Sequence, residues 1–342
     1  LIVNRVKPPT TEASQTRILI VDDEPMLRSV VQDFLALLGY QKYWLAGDGR
    51  EALEILRAHP IDVMLSDIRM PEMELEELLT IVNDEFPGLV VIATSGYSDF
   101  ESARNILCRG AHDFLEKPLN LDALEQSIGW VIRRRRILDE VAEQFGAGPT
   151  GDEAWRRLDH LCDTLTDAGR TFPRALLHCV RTYQLSRRLD LPLSEEEHQE
   201  LALAILLHEI GASLQVHSIC ALPRLLDEEE LALVHHQSRH SARLVGQVLD
   251  RPPLLAMIAD HVHWREISAL DPNANAQTRL TVWLGLLNLL DGCLNSRADR
   301  GPIPIDQLRH SLQRRARQSP LAAVDHLLAK WPVVERFYAS SL

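Results

Sequence analysis

Between residues 17 and 130 the chain repeats one pattern five times: a short apolar run, then a segment whose apolar residues recur at helical spacing. The runs are RILIV, YWLA, VMLS, LVVIATS and DFLE, and the segments after them cover 25–38, 49–58, 75–84, 99–109 and 121 onward. Consecutive strands joined through helices run parallel, so five such repeats predict an α/β doubly wound five-stranded parallel sheet.

Sheets of this kind meet their ligands at the carboxyl ends of the strands. Asp22 and Asp23 follow the first run, Asp67 the third, Thr94 and Ser95 the fourth, and Lys117-Pro118 the fifth. Three carboxylates brought together repel one another, and a hard divalent cation such as Mg2+, held through oxygens and water, relieves that repulsion. One carboxylate can then act as a nucleophile toward phosphorus while a lysine and the metal neutralise the charge in transfer. A hydroxyl at the fourth strand can hydrogen-bond the acyl phosphate formed, and that pull is a switch. Acids that merely end strands account for any one of these residues, but not for all five positions together.

The stretches ILIVDDEP, MLSDIRMPEM, VIATSGYSD and GAHDFLEKPLN resemble the receiver domain of bacterial two-component response regulators, over residues 17–130. The resemblance implies that Asp67 is the phosphoacceptor and that Asp22, Asp23 and Asp67 hold Mg2+. It makes Ser95, beside Thr94, the switch hydroxyl, Phe114 the switch aromatic and Lys117 the contact to the phosphoryl group. It also implies a cognate histidine kinase as partner and a cis Lys117-Pro118 bond. Leu75 stands where such domains usually carry Gly. Gly tolerates a positive φ that Leu resists, so this loop is expected to be reshaped.

From 121 the composition stays helix-forming through Leu121, Leu124, Ile128, Val131, Ile132, Leu138 and Val141, and its first break is GAGPTG at 146–151. The last receiver helix is therefore expected to run on past its domain, as a plain spacer or as a carrier of change at a homodimer interface. The arginines at 133–136 read as a solvated helix face. Beyond 150 the strand pattern stops and helical periodicity takes over to residue 338, which predicts an all-α bundle. Of 14 histidines, all but His59 and His112 fall in this second half. Histidine is the commonest metal ligand, and here spacing decides its meaning.

The stretch LLHEIGASLQVHSICALPRLLDEEEL resembles, without a gap, the core of the HD-GYP family, a branch of HD-type metal phosphohydrolases that cleave cyclic di-GMP. The His-Asp pair of that family falls on His208-Glu209, and LLHCVRTYQLSRRLDL places a first ligand at His178. The paired His-His-Glu falls on Val262-His263-Trp264. Further ligand positions fall on Gln237 and Asn288, with Asp291 kept one helical turn beyond. The resemblance thus leaves His178, His208, Glu209 and His263 as a residual output-domain metal site, fit for a single Fe, Mn or Zn ion. Gln237, Val262 and Asn288 are degenerate ligand positions, because neutral Asn is a poor substitute for a carboxylate on a hard ion. The implied output domain is impaired in hydrolysis and acts by binding a downstream protein, such as a diguanylate cyclase, or cyclic di-GMP. Two alternatives stay open: a divergent cyclic di-GMP phosphodiesterase in which His236, His240 or His261 fill gaps, and a non-catalytic module of the HDOD type.

The expected organisation is a disordered tail over 1–16, a receiver over 17–130, a helical connector and linker over 131–152, and an all-α output domain over 153–342. No apolar run approaches the ~20 residues of a membrane span. The start lacks a signal-peptide pattern, and the five cysteines are scattered without a CxxC pair. These features point to a cytoplasmic protein with no membrane partner. A net charge of -13 and the lack of a basic recognition helix in the second half lead to the expectation of no DNA partner.

Overall fold

The computed structural model describes residues 11–96, 105–107, 109–171, 174–213, 228–260, 275–294, 303–318 and 322–339. The chain divides into two compact units, Leu1–Arg133 and Arg134–Leu342.

The first unit is a parallel sheet of five strands: β1 (Arg17–Val21), β2 (Lys42–Ala46), β3 (Val63–Asp67), β4 (Val90–Ser95) and β5 (Asp113–Glu116). Their order is β2-β1-β3-β4-β5. The chain winds to one side from β1 to β2 and to the other from β3 onward, so a crevice opens beyond the carboxyl ends of β1 and β3. Register brings the site residues level: Val21 pairs with Ser66, Asp67 with Thr94, and Ser95 with Glu116. Ile18, Ile20, Leu65, Ile92 and Leu115 fill a core with Val31 and Leu35.

Five helices belong to this unit or leave it: α1 (Thr11–Gln15), α2 (Pro25–Leu37), α3 (Gly49–Ala58), α4 (Leu75–Glu85) and α5 (Leu121–Phe145). Proline in the first turn suits α2, since its missing N–H has no helical partner there. Asp48 caps α3 by accepting from the backbone N–H groups of Arg50 (2.8 Å) and Glu51 (2.9 Å). Of the helix expected over 99–109, residues 105–107 are described and helical.

Two expectations are corrected here. Residues 11–15, placed in a disordered tail, form α1, because Ala13 is small enough to join the core beside Ile18 and Leu35. So short a helix is held by packing and not by propensity. The arginine run is not wholly a solvated face, since Arg134 is buried while Arg135 and Arg136 are exposed. Helix α5 continues without interruption through the boundary between the units. Leu124, Ile128 and Val131 on its first half belong to the sheet core, and Ile137, Leu138, Val141 and Phe145 on its second half are also buried.

The second unit is helical throughout its described residues: α6 (Gly151–Gly169), α7 (Arg174–Ser186), α8 (Glu195–Leu207), α9 (Glu228–Gly246), α10 (Pro252–Asp260), α11 (Ala276–Leu294), α12 (Ile305–Gln318), α13 (Ala322–Ala329) and α14 (Trp331–Ala339). Every residue from Leu201 to Leu207 is buried, as are Leu280 to Leu287, so these stretches of α8 and α11 are enclosed all round. A capping box starts α8: Glu197 N–H donates to Ser194 Oγ at 3.2 Å, and Ser194 N–H to Glu197 Oε2 at 2.9 Å. After α8 the chain turns through His208–Ser213. Gly211 lies against α9, donating its N–H to Ser241 Oγ at 2.9 Å.

Candidate functional site

At the crevice of the first unit, three loops present the predicted residues. Lys117 leaves β5 with its N–H on the Ser95 carbonyl at 2.7 Å and precedes Pro118 through a cis bond. Its Nζ donates to Asp22 Oδ2 at 2.9 Å and to Asp67 Oδ2 at 2.7 Å. The other oxygens of these carboxylates accept backbone N–H groups, Asp22 Oδ1 from Glu24 at 2.9 Å and Asp67 Oδ1 from Ile68 at 2.7 Å. Arg28 on α2 donates to the Asp22 carbonyl and ties down the same loop.

Burial pushes the Asp67 carboxyl up from its ordinary value; the hydrogen bond and charge of Lys117 pull the other way, and the charge of Asp22 adds to the rise. For Lys117, burial would lower the ammonium, but its hydrogen bonds to Asp67 and Asp22 and their charges prevail and raise it. The ammonium therefore stays charged between carboxylates that repel each other.

Ligand oxygens of Asp22, Asp23 and Asp67 lie within 4.8 Å of one another, the one such group of three among the described residues. Three carboxylates against one ammonium leave an excess of negative charge, and an oxygen donor set open to water on its Asp23 side suits Mg2+. Thr94, Ser95 and Phe114 are buried, with the Ser95 hydroxyl donating to the Gly96 carbonyl at 3.4 Å.

The loop expected to be reshaped at Leu75 differs from that reading. Leu75 is fully buried and begins α4, its N–H reaching the Ile68 carbonyl at 3.1 Å. The positive φ, 64°, falls on Glu72, the one non-glycine with such a value among the described residues. The turn places its strain three residues before the missing glycine, on an exposed side chain that no core contact opposes.

In the second unit, α7 carries His178 and Arg181 and α11 carries Asn288 and Asp291, each pair three residues apart and so on one helix face. Asp291 is 1% exposed. Its Oδ1 accepts from Arg181 Nε at 3.0 Å and from the Tyr338 hydroxyl at 3.1 Å, and its Oδ2 from Arg181 Nη2 at 2.8 Å and His178 Nδ1 at 2.6 Å. Burial alone would raise this carboxyl, but the hydrogen bonds and charges of His178 and Arg181 prevail and bring it down to about 2.

His178 Nε2 lies 3.1 Å from Asn288 Oδ1, so both ring nitrogens are turned to protein oxygens. His208 is fully buried, with Nδ1 on the Ile205 carbonyl at 2.8 Å and Nε2 3.9 Å from Glu209 Oε1. The two imidazoles meet edge to face, 5.4 Å between centres. Beside them, burial pushes the Cys179 thiol well up from its ordinary value.

Of the residual metal site read from the sequence, His178, His208 and Glu209 are therefore brought near one another, while His263, like the degenerate position Val262, lies outside the described residues. Gln237 is half-buried on α9. A carboxylate has about four lone-pair sites, and all four on Asp291 are taken by protein donors, so Asp291 itself offers no free ligand atom. Sequence reasoning missed Arg181 and Tyr338. The repeated spacing of three on α7 and α11 could have suggested Arg181; nothing local signals Tyr338, more than 40 residues from its partner.

The family model for the response regulator receiver domain matches residues 18–129. Curated relatives include the DNA-binding transcriptional regulator NtrC of Proteus hauseri, 31% identical over 154 residues, covering 42% of this chain and 32% of that protein. Transcriptional regulatory protein ZraR of Escherichia coli O157:H7 is 35% identical over 134 residues, covering 38% and 30% respectively. The chain thus spans about a third of the length of the curated relatives it matches. A solved response regulator receiver domain protein from Clostridium thermocellum is 27% identical, with 36% of this chain and 98% of that one covered and a TM-score of 0.34.

The expectation of no DNA partner is corrected by these relatives, which are named as DNA-binding or transcriptional regulators. Net charge averages over the whole chain and does not report local clusters. Helix α12 carries Arg309, Arg314, Arg315 and Arg317 against one acid, Asp306, and Arg314 and Arg317 are exposed. Among the described residues, no helix is long and apolar enough to cross a membrane. The family match ends at residue 129 and does not reach the helical unit, whose more specific class it leaves open. On its strand order, its acidic crevice bridged by Lys117, and the match over 18–129, the first unit is a receiver domain of the two-component response regulators.

Proposed function

We propose that this protein is a phosphorylation-switched response regulator whose acceptor is Asp67, and whose helical unit delivers the output by binding and not by hydrolysis. The first part is carried by one observation: Lys117 Nζ reaches both Asp22 and Asp67 within 2.9 Å at the carboxyl edge of the sheet. In the transfer, a carboxylate oxygen of Asp67 forms a bond to phosphorus as the bond from phosphorus to the donor breaks. The donor is a phosphohistidine of a kinase, whose imidazole keeps the electron pair and takes a proton, or a small acyl phosphate.

Asp22 and Asp23 would hold Mg2+ with Asp67, and the ion supplies charge neutralisation to the phosphoryl oxygens. Lys117 neutralises the remaining charge and exchanges its Asp67 contact for a phosphoryl oxygen. Ser95, freed from the Gly96 carbonyl, turns its hydroxyl to the new acceptor, and Phe114 on the adjacent strand follows.

For the helical unit, the saturated Asp291 and the neutral Asn288 support binding over turnover. DNA stands among the targets to be tested, together with protein and nucleotide. The test of the acceptor is labelling from a radioactive small phosphodonor with Mg2+. Asp67→Asn should abolish the label with an unchanged circular dichroism spectrum; equal labelling would place the acceptor elsewhere.

A further inference from the structure

The turn between β1 and α2 carries two of the three crevice acids, and they are held unequally. Asp22 is fixed at four points: its N–H donates to the Ala46 carbonyl at 3.2 Å, Oδ1 accepts from the Glu24 N–H at 2.9 Å, Oδ2 accepts from Lys117 Nζ at 2.9 Å, and its carbonyl accepts from Arg28 Nη1. Asp23 is exposed, and among the described residues no hydrogen bond or ion pair fixes its carboxylate. A ligand oxygen of Asp23 nevertheless lies within 4.8 Å of those of Asp22 and Asp67. The backbone therefore aims this side chain. A peptide group is planar, so a carbonyl anchored at Asp22 also anchors the amide nitrogen of Asp23, and with it one end of that residue.

Arg28 is the side chain that holds that carbonyl. It lies one turn into α2, with its own N–H on the Glu24 carbonyl at 3.2 Å, and reaches back six residues from a helix start stiffened by proline. Its guanidinium is planar and presents its donors in fixed directions, so it sets the direction of a carbonyl better than a flexible ammonium does. We infer that Arg28 is a positioning residue for the receiver's cation: by holding the Asp22-Asp23 peptide, it aims the Asp23 carboxylate at the ion shared with Asp22 and Asp67. This deepens, and rests on, the reading of the crevice as a Mg2+-dependent phosphoacceptor site. Charge and geometry make opposite predictions here. An Arg28 that contributed only positive charge would repel Mg2+, and its removal would tighten binding; an Arg28 that positions Asp23 helps Mg2+, and its removal weakens binding.

The test is Mg2+ binding to the full chain by titration calorimetry, with no phosphodonor present. In Arg28→Met the dissociation constant should rise about tenfold, the lower end of what is usual when a group that orients a metal ligand is lost. Arg28→Lys, which keeps the charge and a less directed donor, should fall between Arg28→Met and the parent. The melting temperature of Arg28→Met in EDTA should stay within about 2 °C of the parent, because the contact lies at a half-buried surface turn. Labelling of Asp67 should slow at limiting Mg2+ and return to within about twofold of the parent rate at saturating Mg2+.

Mg2+ affinity unchanged or tightened in Arg28→Met would overturn the inference, as would slow labelling that saturating Mg2+ does not restore. If Arg28→Met does not fold, Arg28→Lys decides: weaker Mg2+ binding supports the positioning role, and parental affinity overturns it. The parent also separates the two levels of the argument. If it shows no Mg2+ binding that Asp23→Asn removes, the reading of the crevice falls and the role of Arg28 with it. If it binds Mg2+ through Asp23 and Arg28→Met binds equally well, only the role of Arg28 falls.

Discussion

Asp291 and Asp67 are both carboxylates touched by a cation, and their surroundings prepare them for different work. Asp67 keeps one side open to a metal and a phosphoryl group, and burial holds its carboxyl above the ordinary value. Asp291 is enclosed by four donors and held at about 2. A carboxyl depressed on folding contributes stability that is fully present above its unfolded value, near 3.8, and is lost as pH falls toward 2. A shift of this size corresponds to roughly 2 kcal/mol. Urea titrations at pH 5, 4, 3 and 2 should therefore show a loss in this window that Asp291→Asn abolishes, at the cost of lower stability at neutral pH. A pH slope unchanged by that substitution would assign the loss to other groups. The receiver acids were legible in the sequence because strand periodicity fixes where each strand ends, and the acids stand at those ends. The partner of Asp291 was not, because a long arginine side chain can reach several neighbours and the choice is made by the packing of α7 on α11.

At the scale of elements, the turn after α8 is fixed by its contact with α9. A Cβ on Gly211 would lie 2.6 Å from the Ser241 backbone nitrogen and 2.9 Å from its Cα, so the turn after α8 touches the backbone of α9 itself. Backbone of a packed helix cannot yield as a side-chain tip does. Gly211→Ala is expected to destabilise the protein by about 2 kcal/mol, measured by denaturant unfolding, with Asp67 labelling retained; a loss below the error of the measurement would show that α9 can shift. The helical class of this unit was legible from its period, and its more specific class was not, because many all-α folds share that period and isolated histidines do not tell them apart. In the same way α1 escaped notice: Ala13 carries no periodic signal, and its burial depends on the space that Ile18 and Leu35 leave. The position of strain at Glu72 rather than Leu75 was likewise a property of the turn geometry, invisible to a residue-by-residue reading.

On the scale of the whole molecule, one continuous helix belongs to both units, and both of its halves are packed. Residues 131–152 were read as a connector and linker, yet Ile137, Leu138, Val141 and Phe145 are buried. Whether this helix is a spacer or carries a change from the receiver to residues past 134 is tested by breaking it. Arg135 is exposed, so Arg135→Pro should break α5 at a cost of about 3 kcal/mol without removing a buried side chain. Asp67 labelling should survive, while the change in hydrogen exchange over 134–145 that a beryllofluoride phosphate mimic produces in the parent should vanish. Persistence of that change in the proline variant would show that the signal takes another path. At 1.5 Å per residue, the 25 residues of α5 make a rod of about 37 Å. A helix of this length makes about seven turns, so a break at any one of them severs the hydrogen-bond ladder that runs from the receiver core to the buried residues past 134.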